Sequence, residues 1–187
     1  MQLSTVQQRG AVSFPAFTGE RIYMREFRKE SGLPADLVRW QPTVDAMLDG
    51  VDAAGPIFLM VDQRRVFAAQ THRRPGVHVD GHWLPCVQAH GHGPGRHTVP
   101  PRPRSLEPEA LILASDVLGC AAFVGEYEGE PAIDGDCSHL DLSGLQRVEM
   151  EPGLAWSGHT MTMLHESIPL RKDCFRTVVR LNVKGWA

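Results

Sequence analysis

From Pro56 onward the chain is a succession of short apolar runs punctuated by turn residues, and this texture limits the fold more than any other feature. The runs PIFLMV, RVFAAQ, VHVDG, ALILAS, CAAFVGEY, QRVEM, HTMTMLH and RTVVRLNV are each of strand length. Between them stand Gly129, Asp134-Gly135 and Glu151-Pro152-Gly153, residues suited to tight reversals. Many short strands without intervening helices imply an antiparallel sandwich or barrel. A double-sheet jelly roll is one solution.

Helical patterning is confined to the first third. Pro34 suits a helix start and Asp36 favours the positive end of the dipole. Val44, Met47, Leu48 and Val51 then recur at helical spacing until Gly50 and Gly55 end the pattern. The expectation is one or two short helices between residues 34 and 50. The 187 residues suffice for one domain spanning 1–187, with core strands over about 57–183.

Hydrophobic residues at 42% and charged residues at 22% exclude a disordered chain. A net charge of −3 excludes the global basic field usual in duplex-binding proteins, although a local basic patch remains compatible with nucleic acid. The N-terminus has no basic segment followed by an apolar stretch and a cleavage site. No run approaches the roughly 18 apolar residues of a membrane span. A cytoplasmic, non-membrane protein is the expectation. Cys86, Cys120, Cys137 and Cys174 form no CxxC pair, which argues against a thiolate zinc site and for reduced thiols. Nine histidines turn attention to metal chemistry.

Residues 89–108, AHGHGPGRHTVPPRPRSLEP, hold five prolines, three glycines, three histidines and three arginines. No regular element fits them, and so long a loop is either a mobile insertion or a substrate-facing lid.

The chemistry centres on His78-Val79-Asp80. In an extended segment, positions i and i+2 project to one face, about 7 Å apart at the backbone. An imidazole and a carboxylate so placed converge on one cation. HTMTMLH reads as a strand ending at His165, and Arg176 opens the last strand eleven residues later. Two histidines and a carboxylate on one face of a metal leave adjacent positions open, the arrangement that suits Fe(II). A nearby arginine supplies a forked, permanently charged partner for a carboxylate.

HxD, a distal His and an Arg at the start of the last strand, within RPGVHVDG and LHESIPLRKDCFRTVVRL, resemble the Fe(II)/2-oxoglutarate-dependent dioxygenase superfamily. The resemblance covers roughly residues 57–183. It implies a double-stranded β-helix, of the jelly-roll, cupin-like kind, with Fe(II) held by His78, Asp80 and His165. It further implies that Arg176 pairs with the distal carboxylate of 2-oxoglutarate. Arg180, of the same strand parity, shares that role or holds the substrate. Hydroxylation of a small-molecule or macromolecular substrate is the implied outcome.

Two other readings accompany this one. A cupin-like isomerase or binding domain would use the same architecture and a divalent metal without 2-oxoglutarate. A non-enzymatic interaction module would keep only the fold. His159 shares strand parity with His165 and is the alternative distal ligand, though it lies seventeen residues from Arg176. His82 is a candidate neighbour of the site. His90, His92 and His97 read as loop residues with adventitious metal affinity. The DGDCSHLD segment lacks the acidic residue that closes a calcium loop and reads as a solvated turn. Trp83 and Trp156 are either pocket or packing residues.

Overall fold

The computed structural model of the protein describes residues 1–80 and 109–186. Twelve elements follow along the chain: β1 (Gln2–Ser4), β2 (Gln7–Ala11), β3 (Arg21–Phe27), a 3-10 helix (Ala35–Trp40), α1 (Gln41–Met47), β4 (Ile57–Val66), β5 (Glu109–Ser115), β6 (Cys120–Tyr127), β7 (Gln146–Glu149), β8 (Leu154–His159), β9 (Leu164–Ser167) and β10 (Cys174–Lys184). The strands form two sheets in which every pairing is antiparallel. One sheet runs β2-β8-β5-β10-β4-β3; in the other, β6 pairs with β1, β7 and β9.

Strand β10 lies centrally in the larger sheet, paired with β4 on one side and β5 on the other. Both of its faces are covered, so its apolar residues run without the polar alternation of a half-solvated strand. One face carries Val179, Leu181 and Val183, which join Ile57, Leu59 and Val61 of β4 against Trp40, Val44, Met47 and Leu48. All ten of these side chains are 1% exposed or less. Burying each stabilises the fold by roughly 1.5–3 kcal/mol. On the other face, Val178, Met60, Leu111, Leu113 and Trp156 meet Cys120 and Ala122 of the smaller sheet. The result is three layers: helical segment, larger sheet, smaller sheet.

The helical expectation matches the 3-10 helix and α1. Pro34 immediately precedes the first, and Gly50 takes a left-handed φ of 67° beyond the second. The strand expectation changes in four places. PIFLMV and the start of RVFAAQ are one ten-residue strand, β4. Of VHVDG, residues 77–80 form no strand and His78 makes isolated bridges. HTMTMLH is not one strand: His159 ends β8, a turn closed by Met163 N–H to the His159 carbonyl at 2.9 Å intervenes, and Leu164 begins β9. Finally, the strand framework starts at Gln2 and not near residue 57. Strands β2 and β3 form the two edges of the larger sheet, and their largely exposed residues carry little apolar pattern to read.

Residues 89–108, with Cys86, His82 and Trp83, lie outside the described residues. Cys120, Cys137 and Cys174 are free thiols. Among the described residues no helix is long and apolar enough to cross a membrane.

Candidate metal centre

Residues 77–80 are extended and alternate between two environments. Val77 and Val79 are buried with Tyr127, Cys137 and Leu164. Alternation therefore turns His78 and Asp80 the opposite way. Backbone bonds hold the segment on both sides: Val79 N–H to the Gly135 carbonyl at 3.0 Å and Asp80 N–H to the Thr160 carbonyl at 3.1 Å. His165 belongs to β9, where Leu164 takes the outer face and His165 pairs with Ala122 on the inner one. His78 and His165 then exchange two backbone bonds, 2.9 Å one way and 3.1 Å the other. This pairing sets their rings side by side, with centroids 4.4 Å apart.

The ligand atoms of His78, Asp80 and His165 all lie within 4.8 Å of one another, so the group could hold a metal ion. Each imidazole is oriented by the backbone. His78 Nδ1 lies 2.9 Å from the Gly76 carbonyl, and His165 Nδ1 lies 3.1 Å from the Met163 carbonyl. A carbonyl only accepts, so Nδ1 carries a proton in both rings, and the neutral form of such a ring has its lone pair on Nε2. Metal-binding histidines are typically oriented in this way. Burial, with the neighbouring His165, pushes the His78 imidazolium pKa down to about 4 and keeps that ring neutral. Burial alone would raise the Asp80 carboxyl. The Arg180 guanidinium, then His165 and His78, outweigh it and hold the group well below the usual carboxylate range.

Arg180 and Arg176 lie on the same face of β10, but in different surroundings. Arg180 Nη1 reaches Asp80 Oδ2 at 2.7 Å, and its Nη2 lies 3.5 Å from the Met24 sulfur. Arg176 is fully buried. Its Nε donates to Ser115 Oγ at 3.0 Å and to the Val117 carbonyl at 3.2 Å, while Nη2 approaches Cys120 Sγ at 3.2 Å. Its Nη1 has no hydrogen-bond partner, and no carboxylate among the described residues pairs with it.

The triad and Arg180 open into a cavity of about 270 Å³, with Met60, Leu113 and Val178 as apolar lining and Tyr23, Arg73 and Arg74 as polar lining. Cys120, whose Sγ lies 3.2 Å from Arg176 Nη2, forms part of the cavity wall. His159 stands apart from the triad, its Nδ1 accepting the Met161 N–H at 3.1 Å. Trp156 packs in the core between the sheets. Asp134, Asp136 and Asp141 accept backbone N–H groups two residues ahead, as turn-forming side chains do.

Sequence reasoning missed Asp62 and His72, a buried pair beside the cavity wall. The signal for Asp62 was present: it shares strand parity with Met60 in an apolar run, so it is a carboxylate aimed into the protein. His72 carried no comparable mark. No family model, curated protein or solved structure matches the chain.

Proposed function

We propose that the protein is a non-haem Fe(II)- and 2-oxoglutarate-dependent dioxygenase, with its two sheets forming a double-stranded β-helix. The observation that carries this reading is the His78–Asp80–His165 group opening into one small cavity, with the buried Arg176 guanidinium behind the Cys120 part of its wall and without an anionic partner among the described residues. A buried arginine is strongly unfavourable without a counter-charge, and among the described residues Arg176 has only neutral hydrogen-bond acceptors. A thiol sulfur is a weak acceptor. A carboxylate makes shorter, charge-assisted and often bidentate bonds to arginine. A dicarboxylate entering the cavity therefore displaces Cys120 Sγ from Nη2 and satisfies Nη1.

The donor set fits Fe(II), since two imidazoles and one carboxylate on one face leave positions for a bidentate ligand and dioxygen. When bound, Fe(II) supplies the oxidation chemistry that couples decarboxylation of 2-oxoglutarate to hydroxylation of a substrate. The chain's own residues do the positioning. The Gly76 and Met163 carbonyls hold the two imidazoles by Nδ1, and Arg180 holds the Asp80 carboxylate. Arg176 orients the co-substrate by its far end. Met60, Leu113 and Val178 give the cavity its apolar lining beside the reacting groups.

The test is anaerobic titration with Fe(II) followed by 2-oxoglutarate, monitored by visible absorption. A charge-transfer band that needs both components supports the assignment. Iron binding that is indifferent to 2-oxoglutarate would leave a metal-binding domain of cupin-like kind and overturn the dioxygenase reading.

A further inference from the structure

Asp62 lies on the cavity side of β4, two residues from Met60, with only 3% of its side chain exposed. Three arginines from three different segments converge on it. Arg21 of β3, its cross-strand partner, brings Nε to 3.5 Å from Oδ1. Arg64, two residues along β4, places Nε 3.9 Å from Oδ2. Arg73, in the loop after β4, donates from Nη1 to the same oxygen at 2.9 Å. His72 closes the buried side, with Nε2 3.5 Å from Oδ2. Among the described residues, none of the three arginines has an ion-pair partner other than Asp62.

The sheet brings these groups together. Cross-strand partners and alternate residues share a face, so Arg21, Asp62 and Arg64 project to the side that carries the cavity. Tyr23, two residues beyond Arg21, lines that cavity, and so does Arg73 itself. The cluster therefore begins at the cavity rim. Its carboxylate is enclosed, whereas 70% of the Arg21 side chain, 43% of Arg64 and 35% of Arg73 remain exposed. The guanidinium forks are open to solvent and the neutralising group is not.

Three guanidinium groups against one carboxylate leave two positive charges in excess. Although burial works to raise the Asp62 carboxyl, His72, Arg73 and Arg64 together hold it well below the usual carboxylate range. Asp62 is thus already ionised and has no further neutralisation to offer. Arg64 is displaced downward, first by burial and then by the like charges of Arg73, Arg21 and Arg176, with Asp62 opposing. An anion from solution relieves the remaining repulsion. A phosphate monoester carries a charge of about −1.5 to −2 near neutral pH, and its oxygens accept from forked donors. Its charge therefore matches the excess. A nucleic-acid backbone asks instead for a stripe of basic residues. This cluster is one compact point on a chain of net charge −3.

We propose that Arg21, Arg64 and Arg73 form a phosphate site at the cavity rim, and that the ligand entering the cavity is a small phosphate monoester held there by its charged end. Asp62 is the positioning residue that gathers the three guanidinium groups. The organic part of the ligand lies along Met60, Leu111 and Leu113. In the dioxygenase reading this ligand is the substrate. The phosphate site shares no residue with the metal centre and does not depend on that reading.

The experiment is calorimetric titration of the full, metal-free chain with inorganic phosphate, at constant ionic strength held by sodium chloride. Wild type is expected to bind phosphate. Arg21→Gln and Arg64→Gln are each expected to weaken it about tenfold, the worth of one charge-assisted hydrogen bond. Both side chains are exposed, so the variants are expected to fold. Arg25→Gln, whose guanidinium pairs with Asp36, should stay within about twofold, since an exposed pair elsewhere contributes little. Butyl phosphate should bind wild type more tightly than inorganic phosphate, because its chain reaches the apolar lining. Equal affinity would place the ligand outside the cavity and overturn that half of the proposal. No heat beyond that of added chloride, or binding undiminished in both variants, overturns the site. Short single-stranded DNA without terminal phosphates that outbinds butyl phosphate, and loses affinity in Arg64→Gln, overturns the monoester in favour of a nucleic-acid backbone. All of these are read without iron or 2-oxoglutarate, so a failure here is distinct from failure of the dioxygenase reading.

Discussion

Arg180 Nη1 stands 2.7 Å from Asp80 Oδ2, and the same oxygen faces His165 Nε2 at 3.6 Å. Only 13% of the arginine side chain and 15% of the carboxylate are exposed. Arg180 thus pairs directly with the carboxylate of the group that could hold a metal ion. Met24, whose sulfur lies 3.5 Å from Arg180 Nη2, takes a left-handed φ of 47°, at the register shift of β3 between Ile22 and Arg25. The edge-strand bulge brings a methionine sulfur against the guanidinium that holds Asp80.

Removing Arg180 is expected to destabilise the metal-free protein more than the metal-bound one. Arg180→Met leaves Asp80 buried without its counter-charge, a loss of about 3 kcal/mol for a largely buried pair. A divalent cation then supplies the missing positive charge. Denaturant unfolding with and without metal measures this, and an equal loss in both states would show that the pair does not stabilise Asp80.

The triad assignment predicts that His78→Ala, Asp80→Ala and His165→Ala each weaken Fe(II) binding by more than about a hundredfold, beyond what loss of an outer-shell partner does. His159→Ala is expected to leave the affinity within about twofold, since nothing about its position would engage the ion. Anaerobic competition titration against a chelator reads the constants. Retention of iron by His165→Ala together with its loss from His159→Ala would reverse the choice of distal ligand.

Stability of the metal-free protein should rise with pH between about 4 and 6.5. His78 is held neutral down to about 4, whereas in the unfolded chain it titrates near 6.5. Within that window the unfolded state binds more protons, so the slope of stability against pH is positive. The difference corresponds to about 3 kcal/mol, fully present above 6.5 and lost as pH falls towards 4. His72 and His159 are displaced in the same direction. His78→Asn should therefore reduce the slope without abolishing it. Urea unfolding at a series of pH values is the measurement, and an unchanged slope in the variant would refute the shift.

Gly119→Ala should act through Arg176. The added methyl carbon would stand 2.6 Å from Arg176 Cζ, 2.7 Å from Nη1 and 2.9 Å from Nη2. The guanidinium is enclosed by Ser115, Val117 and Cys120 and cannot swing away freely. Overpacking of this kind destabilises by about 1–3 kcal/mol, and 2-oxoglutarate binding should weaken in parallel. Arg176→Met is expected to relieve the clash, so the double variant should be more stable than additivity requires. Strict additivity in thermal or denaturant unfolding would mean that the two residues do not meet.

The strongest sequence signals were those that repeat or stand out locally. Val44, Met47, Leu48 and Val51 mark the helical segment because one face of a short helix must be apolar to pack on a sheet. RTVVRLNV was legible as a strand, and its Arg176 and Arg180 were conspicuous as charges in an apolar run. His78-Val79-Asp80 was legible as a convergent pair, because alternation in an extended segment needs only the backbone. The N-terminal strands were not legible. QLS, QQRGA and RIYMREF owe their strand conformation to pairing with β6, β8 and β4, and exposed edges need no apolar alternation.

By itself, then, the order of residues determined the antiparallel β character, the helical segment and the three residues that could hold a metal ion, since each depends on local periodicity or side-chain type. Tertiary structure alone decided what those residues meet. The reciprocal bonds between His78 and His165 join positions 87 residues apart in sequence, and the Arg180–Asp80 contact joins positions 100 apart. The different surroundings of Arg176 and Arg180, four residues apart on one strand face, depend on which side chains the second sheet and the 77–80 segment bring against them. Packing across two sheets sets these partners, and no local pattern encodes it.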